Sequence, residues 1–134
     1  FLKESEVTHE VQTASTRSRS FVIEPGKAGQ TFETTGITAP VDLELLSLSP
    51  HMHLRGESFR YEMTWPNGRT ETLLNVPRYD FNWQTSYRLR EPMIVPQGSK
   101  LVAYASFDNS PANLANPDPT QRVVWGDQSW EEMM

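Results

Sequence analysis

Between Ser58 and Trp65 the chain alternates without a break, with Phe59, Tyr61, Met63 and Trp65 on one side and Ser58, Arg60, Glu62 and Thr64 on the other. A period of two puts the four large apolar side chains on one face of an extended strand and conflicts with the 3.6-residue period of a helix. Pro66–Asn67–Gly68–Arg69 follows. Its Asn–Gly pair tolerates the positive φ of a tight hairpin turn, and Thr70 to Val76 runs back as the partner strand. No helical period survives over ten residues elsewhere and no internal repeat is visible, so this hairpin sets the class of the chain. The expectation is an all-β, single-domain fold, an antiparallel β-sandwich of jelly-roll-like type.

The rest of the chain fits that frame. Short apolar or alternating runs bounded by Gly, Pro, Asn or Asp occur at Phe21 to Ile23, Thr31 to Thr35, Val41 to Ser49, Gln84 to Leu89, Lys100 to Phe107 and Val123 to Trp125. In the third of these, Val41, Leu43 and Leu45 share one face. Pro96–Gln97–Gly98 reads as the turn into Lys100 to Phe107, and Asp108 to Thr120, dense in Asn, Pro and Asp, reads as a surface loop. Residues 1–20, rich in Glu, Thr, Ser and Arg without a sustained period, read as an arm or linker before a domain spanning 21–134. A chain of 134 residues suits one core of ordinary size.

Composition narrows the chemistry. Seventeen acidic residues against twelve basic ones give a net charge of −5, and the basic residues form no patch that would track a phosphate backbone, so nucleic acid is not an expected partner. No run approaches the roughly 18 apolar residues of a membrane span, and no charged start followed by an apolar stretch reads as a signal peptide. The chain has no cysteine, which excludes thiolate metal sites, disulfides and cysteine nucleophiles. A bound metal must use nitrogen, oxygen or thioether sulfur.

Two of the three histidines sit in Pro50–His51–Met52–His53, at the end of a strand-like run. In extended backbone, residues i and i+2 face the same side, so both imidazoles can reach one ion. The spacing alone fits surface histidines near a sandwich edge equally well. A third candidate donor is the thioether of Met133 in Trp130–Glu131–Glu132–Met133–Met134. Imidazole with thioether suits copper, above all cuprous copper, whereas an arbitrary methionine fills a core. Spacing does not connect positions 53 and 133.

His51–Met52–His53–Leu54–Arg55–Gly56 resembles the His-x-His-x-x-Gly element of the copper type II, ascorbate-dependent monooxygenases, such as peptidylglycine α-hydroxylating and dopamine β-monooxygenases. Glu131–Glu132–Met133–Met134 is similar to their Asp–Glu–Met–Cys element, and Phe59 to Trp65, Pro96 to Phe107 and Phe21 to Gly26 fall in matching order. Bacterial proteins with this domain resemble the chain more closely, through Ser47 to Gly56, Tyr79–Asp80–Phe81–Asn82–Trp83–Gln84 and Trp125–Gly126–Asp127–Gln128. The likeness covers roughly residues 20 to 134 and points to the C-terminal domain of the family.

The resemblance implies one copper ion held by His51, His53 and Met133, activating dioxygen for C–H hydroxylation of a small organic substrate. Ascorbate or another external donor would supply electrons through a separate copper or haem domain on the same or another chain, because His9, the remaining histidine, is solitary in the arm. An extracytoplasmic location, periplasmic or secreted, is implied by the family alone. A non-catalytic copper-binding, electron-transfer or structural module of a larger extracellular assembly is the alternative. Two departures matter. Ser49 stands where the peptide-hydroxylating enzyme has a substrate-binding arginine, and the chain stops at Met134 before the family's last strand, so that strand is expected to be lacking.

Other features have plainer readings. Asp108–Asn109–Ser110 and Asn116–Pro117–Asp118–Pro119 offer oxygen ligands, but turn chemistry accounts for them more simply than calcium. Tyr79, Phe81, Trp83 and Tyr87 are expected to pack a sandwich edge rather than form a stacking platform. Of Glu131 and Glu132, adjacent residues on opposite faces of extended chain, at most one can face the metal.

Overall fold

A computed structural model describes residues 2–134. Apart from one 3₁₀ turn at Glu4–Glu6, its regular structure is all strand, antiparallel throughout. The strands are β1 (Val22–Ile23), β2 (Gln30–Glu33), β3 (Ile37–Thr38), β4 (Leu43–Leu48), β5 (Gly56–Thr64), β6 (Thr70–Val76), β7 (Tyr87–Val95), β8 (Lys100–Phe107) and β9 (Val123–Val124). The largest sheet runs β2–β8–β5–β6, with β3 also on β8; β4 pairs with β7, and β1 with β9. The β2 and β3 partners follow one another along one edge of β8. Thr34 bridges them there through bonds in both directions with Ala103.

The core lies between the large sheet and the β4–β7 pair, as a sandwich requires. β5 contributes Phe59, Tyr61 and Met63, and β8 contributes Leu101, Ala103, Ala105 and Phe107, while Leu48 and Val95 come from β4 and β7. Phe21 and Phe32 close one end against Phe107, with centroids 5.5 and 6.1 Å from it. The alternation that opens the sequence reading therefore becomes the inner face of β5.

Four local expectations change. Among the described residues no non-glycine has positive φ, so Asn67 does not take the left-handed conformation of a two-residue Asn–Gly hairpin. Only Gly68 does, at φ +83°, and the bonds Gly68 N–H to Trp65 O and Trp65 N–H to Arg69 O describe a three-residue loop. β4 begins only at Leu43; Val41, before it, and Leu43 are exposed, whereas Leu45 packs on the core and Leu48 is buried. A register break between Leu45 and Ser47 switches the inward parity.

The strand expected at Gln84 to Leu89 instead spans Tyr87–Val95, through Pro92. Pro92 falls in that same register break, where no ladder N–H is needed. Finally, Asn109 in the expected surface loop is fully buried.

Of the arm, Phe1 lies outside the described residues. Residues 2–15 are exposed. Further on, Ser18 N–H donates to Met134 O at 3.2 Å, and the Arg19 guanidinium lies 4.5 Å from the Trp125 ring centroid, so the arm's end runs along the C-terminal segment.

Candidate metal centre

The segment between β4 and β5 carries both histidines. Met52, between them, is fully buried, and its backbone is gripped by one side chain. The Tyr79 hydroxyl accepts from Met52 N–H at 2.9 Å and donates to Met52 O at 2.8 Å. Gly56 is the other fixed point. A Cβ there would stand 2.8 Å from Tyr79 Cδ1 and 2.9 Å from Met52 Cβ, so only glycine lets this turn close on the core.

With Met52 turned inward, the His51 and His53 rings meet edge to face, centroids 5.2 Å apart at 84°. A metal bonded to a ring nitrogen stands about 3.2 Å from that ring's centroid, so two such centroids subtend roughly 110° at a shared ion when a nitrogen of each faces it. That is a tetrahedral angle. His51 is oriented by Gln84, whose Nε2 donates to Phe81 O at 2.9 Å, turning its Oε1 towards His51 Nδ1. Nδ1 therefore donates, and His51 Nε2 keeps its lone pair.

His53 is buried, with its ring 6.2 Å from Phe81 edge to face. Burial, and then the neighbouring His51, lower its pKa, against opposing effects from the Gln128 and Glu131 carbonyls and the Glu131 carboxylate. The neutral form that a metal requires is thereby favoured. Among the described residues His53 Nδ1 is a buried polar atom without a hydrogen-bond partner. The ring lies within reach of the Gln128 and Glu131 carbonyls, which are acceptors for a ring N–H.

The C-terminal segment reaches this corner through Glu132, which is fully buried. Glu132 Oε2 accepts from His53 N–H at 2.9 Å, and Oε1 accepts from Arg55 N–H at 2.6 Å. Burial pushes its carboxyl up to about 7, against the pull of those donors and of the Arg55 charge. Arg55, buried as well, spreads its guanidinium over oxygens of the loop and the C-terminal segment. It donates to Asn109 Oδ1 at 2.9 Å, to Trp130 O at 2.7 Å and to Asp118 O at 3.4 Å.

The two predicted histidines are thus together, and Met133, half-buried, follows directly on the residue that binds the His53 backbone. Among the described residues no third imidazole or carboxylate joins them as a metal cluster. The solitary His9 pairs with its neighbour Thr8 in the exposed arm.

Sequence reasoning missed Gln84, Tyr79 and the Arg55–Asn109 contact as parts of the site. The available signal is the Tyr79-to-Gln84 run, which carries part of the family resemblance and whose aromatic residues are expected to pack a sandwich edge. Tyr79 is half-buried and Phe81 leans on His53, while Trp83 is exposed. Together with Leu54 and Tyr87 they line a groove of about 590 Å³, within the range of small-molecule sites. In the oxygen-rich 108–120 loop the two aspartates serve the loop's own turns: Asp108 accepts from Ser110 N–H and Asp118 from Thr120 N–H.

Compared with known proteins, the chain matches no family model. No curated protein matches it significantly.

Proposed function

We propose that this chain is the mononuclear copper domain of a copper-dependent monooxygenase, with His51, His53 and Met133 as the ligands. The observation that carries the reading is the imidazole pair: two rings 5.2 Å apart, one oriented through Gln84 and the other buried and held towards its neutral form. Two neutral imidazoles and a thioether form a donor set suited to cuprous copper. A bound copper ion would supply dioxygen activation for hydroxylation of a C–H bond.

The chain's own residues do the rest. Gln84 fixes the His51 tautomer, burial keeps His53 neutral, and Tyr79 with Gly56 holds Met52 inward so that both rings emerge on one side. The adjoining groove offers mixed walls for a small organic substrate, aromatic at Tyr79, Phe81 and Trp83 and polar at Arg78, Asp80 and Asn113, with Phe81 shared between groove and site. Electrons would come from ascorbate or another donor through a copper or haem domain elsewhere, which suits an extracytoplasmic setting. No helix among the described residues is long and apolar enough to cross a membrane.

The test is oxygen uptake by the copper-loaded chain, with ascorbate and an added electron-relay domain, compared with His53→Ala. Turnover lost in His53→Ala supports the monooxygenase. One copper per chain without oxygen uptake supports the non-catalytic copper module. Wild type and His53→Ala binding copper equally would overturn both.

A further inference from the structure

We infer that Glu132 is the positioning residue of this centre: its carboxylate clasps the backbone of the histidine segment and thereby fixes where the next residue, Met133, stands relative to the two rings. The inference rests on the copper reading above and adds to it the device that joins donors far apart in sequence.

Three observations carry it. First, the two carboxylate oxygens serve two different backbone donors of one short segment, His53 N–H at 2.9 Å and Arg55 N–H at 2.6 Å. A forked acceptor of this kind fixes orientation as well as distance. Second, the grip sits beside the ligands, since His53 carries one imidazole and Glu132 directly precedes Met133.

Third, the backbone of Glu132 is itself tied down. Its N–H donates to Val124 O at 3.3 Å and its carbonyl accepts from Gly126 N–H at 3.0 Å, bridging it to the end of β9. The chain from β9 to Met133 thus meets the backbone of the histidine segment through the Glu132 carboxylate, and the Arg55 guanidinium closes the same junction by donating to Trp130 O at 2.7 Å. Glutamine has the same shape but presents only one carbonyl oxygen. Its amide NH₂ would face a backbone N–H, donor against donor, so one of the two bonds is lost.

The test compares wild type, Glu132→Gln and Met133→Leu at pH 8 in three measurements: Cu(I) affinity by competition with a chromophoric chelator, sulfur scattering in the copper X-ray absorption spectrum, and amide hydrogen exchange at His53 and Arg55. Glu132→Gln is expected to bind Cu(I) roughly 10- to 100-fold more weakly. Its copper–sulfur scattering should fall towards that of Met133→Leu while copper–nitrogen scattering stays, and exchange at one or both amides should quicken. Should Glu132→Gln fail to fold, Glu132→Asp, which keeps the charge but is too short to span both donors, is judged by the same readings.

A folded variant with wild-type affinity and undiminished sulfur scattering would overturn the assignment, even if it were less stable. Wild-type chain that takes up no copper removes the metal reading and this inference with it, and protected amides would then mark Glu132 as structural only.

Discussion

The histidine pair acquires its chemistry from partners that sit far away in the chain. Gln84 is 33 positions from His51, yet it decides which ring nitrogen is free. Gln84→Ala is expected to lower Cu(I) affinity about 10- to 100-fold with little change in the unfolding midpoint, because the contact is exposed; equal affinities would deny Gln84 this role. Tyr61 shows what burial does to a residue outside the centre. Its hydroxyl donates to Ser49 O at 3.1 Å, and burial pushes it up to about 12 from 10.0.

Because the folded chain holds that proton more tightly than the unfolded one, Tyr61's contribution is full below pH 10. It is lost as pH rises to 12, by about 2–3 kcal/mol. Urea midpoints of wild type and Tyr61→Phe, followed from pH 9 to 12, should show the steeper fall in wild type alone. The sequence reading reached His51 and His53 because their spacing is local. It had no access to Gln84 or Glu132, because a hydrogen bond between distant segments leaves no periodic trace.

Strands were legible where burial on one face imposes alternation, and illegible where pairing alone makes them. β5, β6 and β8 are read with close boundaries because Phe59, Tyr61, Met63, Leu101 and Ala103 must all face one core. β3, two residues long, has no period to read. β7 runs beyond the expected Leu89 and through Pro92, for which the register break opposite Leu46 makes room.

Two glycines, Gly68 in the β5–β6 loop and Gly56 at the start of β5, separate backbone from packing. Gly68 has φ +83° and open space where a Cβ would go, whereas a Cβ on Gly56 meets Tyr79 and Met52 within 2.9 Å. Gly68→Ala should cost about 1–2 kcal/mol of stability and leave copper affinity untouched. Gly56→Ala should cost about 1–3 kcal/mol by overpacking and, on the copper reading, weaken copper binding too, since it displaces Met52 from between the two histidines. Denaturation midpoints paired with chelator competition would read both, and unchanged affinity in Gly56→Ala would break the link between this turn and the site.

Across the molecule, a sandwich core holds the scaffold while a second, polar centre organises one of its corners. Arg55, Glu132 and Asn109 are all fully or almost fully buried. Between them they join the histidine segment, the 108–120 loop and the C-terminal residues. A buried charge without such partners would be costly, so the corner is stable only when all three segments are in place. That dependence brings segments separated by most of the chain to one corner.

X-ray absorption on the Cu(I)-loaded wild-type chain tests most directly whether His51, His53 and Met133 share one ion at that corner. One copper per chain, bound by two imidazole nitrogens and one thioether sulfur, with the sulfur lost in Met133→Leu, is the expected result. Copper bound without sulfur, or unchanged in His51→Ala and His53→Ala, would contradict it.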